Sequence, residues 1–214
     1  MRFFTEAKTV CVKYEARVPV TGGKMSMFDW ISSEQKLYES CVAEIKRFVI
    51  EQPNAQVCCF AFDTEPRYGY VILAFDTLEN NLRSCRELER SAVERNTEWL
   101  TERRHWQSAT HFLTSPALPV FDTNSGNFAY SQFAEVRFPE WTSIAESDNY
   151  PQRKEHEDEY LDSNVRIVLW NVAQRLVEGR AFDTLRKASP FVIAYCIHDE
   201  EDAILRILNW PNPV

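Results

Sequence analysis

The sequence predicts an α+β fold in a single domain spanning 1–214: a mixed sheet of four to five strands, with three or four helices packed mainly on one face. Three observations lead there. The chain has 214 residues and no clear linker, the size of one large domain. Hydrophobic residues make up 44% and aromatic residues 13%, enough to bury a core without staples. Apolar runs of strand length are interspersed with longer apolar repeats at helical spacing.

Taken in order, TVCVKYEARV (9–18) alternates Val10, Val12, Tyr14, Ala16 and Val18 with Lys13, Glu15 and Arg17, the period of a half-buried strand. Gly22-Gly23 turns the chain. A helix is expected over 32–52, with Leu37, Cys41, Ile45, Phe48 and Val49 on one face, Ser32 and Gln35 as a capping box, and Pro53 as its stop. QVCCFAF (56–62) and GYVILAF (69–75), joined by DTEPRY, read as a hairpin. The longest periodic segment, 76–107, places Leu78, Leu82, Cys85, Leu88, Ala92, Trp99 and Leu100 at helical spacing.

From 108 to 152 regularity fails. Prolines punctuate an aromatic-rich stretch, which reads as an ordered but irregular excursion of the kind that often carries function. Helix returns over 155–179, with Leu161, Val165, Val168, Leu169, Val172 and Leu176 inward and Gly179 at the end. PFVIAYCI (190–197) is a buried strand. EDAILRILN is expected to close the chain as a short helix, capped by Asp199, with Glu200, Glu201 and Asp202 in its first turn where the dipole favours carboxylates.

The net charge of −8 repels phosphate backbones, so nucleic acid is excluded and a protein partner with a basic face is the natural complement. MRFFTEAKTV lacks the apolar stretch of a secretion signal, and the longest apolar runs fall far short of the ~18 residues of a membrane span. A cytoplasmic location follows, in which Cys11, Cys41, Cys58, Cys59, Cys85 and Cys196 are expected to be reduced and mostly buried.

Familiar catalytic motifs are absent. His156-Glu157 begins a zinc-protease pattern, but Tyr160 stands where the second histidine is required. His105 and His111 are too far apart for one helical face, and adjacent Cys58 and Cys59 should point to opposite faces of a strand. Five glycines supply no phosphate-binding loop and no nucleophile elbow. No cofactor and no metal are therefore expected. His198, at the end of a strand, is the one residue where an active group would be conventional in such a sheet. In FAEVRFPEW (133–141), Phe138, Glu140 and Trp141 form a candidate partner-binding segment, because large aromatic rings anchor interfaces.

The CFAFDTEPRYGYVILAFDT hairpin, the Phe- and Trp-bearing middle and the closing FVIAYCIHDEEDAILRILNWPNP resemble the bacterial domain-of-unknown-function family 4303. In style that family is similar to the immunity proteins that accompany polymorphic toxins. The resemblance spans about 33–213 and brings no catalytic residues with it; the 76–107 helix and the N-terminal strand depart from it. It implies a cytoplasmic protein-binding module that neutralises a toxin domain. The alternative is a small hydrolase or transferase with its site near His198 and the 108–152 excursion.

Overall fold

A computed structural model describes residues 28–87, 90–91, 122–145, 159–197 and 203–208. Among these, four helices and a five-stranded mixed sheet form the expected α+β fold. The strand expected over 9–18 lies outside the described residues, as do positions 92–107 of the helix expected over 76–107 and the acids of 199–202.

Helix α1 (Trp30–Glu51) starts two residues earlier than expected. Its cap is Asp29, whose carboxylate accepts from the Ser32 amide at 3.1 Å, whereas Gln35 bonds forward to Glu39. A carboxylate three residues ahead of a free amide is a stronger acceptor than a hydroxyl, so Asp29 takes the place given to Ser32. Leu37, Cys41, Ile45 and Phe48 are buried along one face.

The hairpin forms as read but with longer strands. Strand β1 (Val57–Glu65) and strand β2 (Tyr70–Thr77) are joined by a turn of 3-10 helix at Pro66–Tyr68 and by Gly69. Gly69 has φ +63, and a Cβ there would stand 2.4 Å from the Phe138 carbonyl oxygen and 2.8 Å from the Thr142 hydroxyl. The turn thus needs both a left-handed residue and one without a side chain. Gly69→Ala should cost about 2 kcal/mol or more, checked by urea denaturation, with strain and backbone displacement adding together.

Helix α2 (78–87) follows β2 directly, with Thr77 Oγ1 accepting from the Asn80 amide at 3.2 Å. Strand β3 (Tyr130–Arg137) and the short helix α3 (Pro139–Ala145) then occupy part of the stretch expected to be irregular. The excursion at 108–152 is corrected accordingly. Helix α4 (Glu159–Glu178) buries every position assigned to its inner face, from Leu161 to Leu176. Strand β4 (Lys187–Ile197) leads to strand β5 (Ala203–Leu208).

The expected closing helix is therefore wrong. Residues 203–208 pair antiparallel with β4, and Asp199 has no such helix to cap. Gly179 does end α4, but the left-handed residue is Arg180, at φ 57. Gly179 is small for a different reason: a Cβ there would meet the Tyr38 hydroxyl at 2.8 Å.

The sheet runs β3-β2-β1-β4-β5, antiparallel except for the parallel β1/β4 pair. Phe60, Phe62, Leu73, Phe75, Phe191 and Ile193 face α1 and α4 and form the main core. The opposite face carries smaller side chains at one end: Cys58, Cys59, Ala61, Ala74, Ala188, Val192 and Ala194, with Phe128 and Leu78 over them. Cys58 and Cys59 share that face, contrary to the alternation rule, because the register of β1 shifts between Val57 and Cys59 and leaves Cys58 as an extra residue.

Candidate functional site

The residues proposed as partner anchors are in the core. Phe138 and Trp141 are both 0% exposed, their rings stacked at 4.2 Å, and the Trp141 indole donates to Ser33 Oγ at 3.3 Å. Lys36 lies 4.9 Å over the Phe138 ring. Glu140 is half-buried. The assignment of Phe138 and Trp141 to partner binding is withdrawn, since rings closed in by α1 and the hairpin turn present nothing to a partner. His198 lies outside the described residues.

Two other clusters emerge, one at each end of the sheet. At the end of β2, the buried carboxylate of Asp76 collects four donors. Oδ1 accepts from the Thr77 amide (2.9 Å), Asn80 Nδ2 (2.8 Å) and the Ala129 amide (3.1 Å), and Oδ2 accepts from Asn81 Nδ2 (2.9 Å). The same two asparagines reach the carbonyls of Asn127 and Asp122, both at 2.8 Å. Asp122 in turn accepts from Ser84 Oγ, from Asn127 Nδ2 (3.1 Å) and from the Asn124 amide (3.0 Å). Ser125 Oγ completes the tie by donating to Asp63 at 2.7 Å. Residues 122–129 are thereby fastened along this face of the sheet, from Asp76 at the small-residue end to Asp63 toward the other.

Beside this knot is a polar depression of about 310 Å³ lined by Asn80, Arg83, Ser84, Glu87, Ser91 and Asn127. Its volume suits a small ligand. Among the described lining residues there is no imidazole or thiol, and Ser84 donates to a carboxylate already engaged by two other donors. The asparagine and aspartate side chains act here as structural connectors.

The second cluster is the open end of the same sheet face. Cross-strand pairing aligns Cys196, Asp63, Ile72 and Glu135 in one row and Glu65, Tyr70 and Arg137 in the next. These side chains are half-buried or exposed, while the other end of the face is closed. Tyr68, 70% exposed on the hairpin turn, stacks on Tyr70 with ring centroids 6.4 Å apart. Burial, and then the carboxylates of Asp63, Glu65 and Glu135, push the Tyr70 hydroxyl above its ordinary range. The one cation in these rows, Arg137, is held by Glu135 at 2.5 Å. The chain between Ile197 and Ala203 carries four more carboxylates. The clue in the sequence was DTEPRYGY, which sets acids two apart on a strand and tyrosines two apart across its turn.

The five described cysteines form no disulfide, and four are buried. Burial pushes the Cys41 and Cys58 thiols far up, which makes them poor nucleophiles and poor metal ligands. Among the described residues no group of three or more His, Cys, Asp and Glu side chains could hold a metal ion, and no helix is long and apolar enough to cross a membrane. No family model, curated protein or solved structure matches the chain.

Proposed function

We propose that the chain is a cytoplasmic protein-binding module of the immunity type, which neutralises a toxin domain by engaging that domain's basic face. The observation that carries this reading is the half-buried to exposed end of the sheet face, where Asp63, Glu65 and Glu135 lie around Tyr70, on which the exposed Tyr68 stacks. Carboxylates on a rigid sheet attract a cationic surface over a distance of ~10 Å at moderate salt, and the exposed Tyr68 supplies short-range contact. The resemblance to family 4303 points the same way. The enzymatic alternative near His198 and 108–152 gains no support from the described part of that stretch, whose Phe138 and Trp141 rings are buried.

Association with a candidate toxin domain, followed by rapid mixing, should slow by about tenfold or more between low and high salt. Tyr68→Ala should weaken binding by ~2 kcal/mol with little change in melting temperature, because the ring is exposed. An association rate indifferent to salt removes the electrostatic part of the reading. Full affinity in Tyr68→Ala moves the interface elsewhere.

A further inference from the structure

We draw no further inference here: the strongest candidate, the exposed apolar face of α4 formed by Ile167 and Trp170 beside Arg206 of β5, carries nothing, because nothing in the structure shows what covers it.

Discussion

Trp141→Ala should lower the free energy of unfolding by about 3–5 kcal/mol, the range for removing a large ring from a packed core. The indole is fully buried, stacks on Phe138 at 4.2 Å and lies 6.2 Å from the Trp30 ring. Its Nε1 hydrogen bond to the buried Ser33 hydroxyl ties α3 to the first turn of α1, so truncation leaves both a cavity and a buried hydroxyl short of a donor. The consequence for binding is the informative part. Affinity for a partner, measured at a temperature where the variant remains folded, should be nearly unchanged. A loss of stability below ~1 kcal/mol together with a large loss of affinity would restore Trp141 as an interface anchor.

Asp76→Ala is expected to cost about 3 kcal/mol or more. Its carboxylate accepts from two backbone amides and two asparagine side chains, all of which would be left without that acceptor. Each buried polar group so orphaned costs ~1–3 kcal/mol, reduced where water can enter. Asp76→Asn preserves shape but turns one acceptor into a donor facing other donors, and should recover less than half of the loss. Guanidinium denaturation gives the magnitude. Hydrogen exchange adds the location: the amides of 122–129 should lose protection before those of β1, because Asp76, Asn80 and Asn81 are what fasten that segment. Uniform destabilisation with 122–129 still protected would show that the segment is held by other contacts.

Helix α4 was legible in the sequence because it repeats one period along its inner face, and the β1–β2 hairpin because two short apolar runs flank a turn with proline and glycine. The edge strands were not. In β3 the register slips between Leu73 and Phe75 of its neighbour, so Tyr130 and Phe133, an odd number of residues apart, both pack against Phe48. In β5 the slip between Ile193 and Ala194 makes Leu205 the extra residue and puts Ile204 and Ile207 on one face, a spacing of three that imitates a helix. A bulge erases the alternation by which a strand is recognised. The expected closing helix, with Asp199 as its cap, rests on that imitation.

By itself the sequence determined the fold class, the inward faces of the long elements, and a net charge of −8. It did so because periodicity and composition are local properties. Which aromatics face water was decided only by tertiary structure. Phe138 and Trp141 disappear under α1, while Tyr68 is left outside on a tight turn, although all three are aromatic residues within two positions of a proline. Strand order likewise lies beyond local pattern. Placing β2 between β1 and β3 brings Asp63, Glu65 and Tyr70 near Glu135, a residue 70 or more positions away from both acids. Long-range pairing of this kind is set by the burial of whole faces, which no short stretch of sequence encodes.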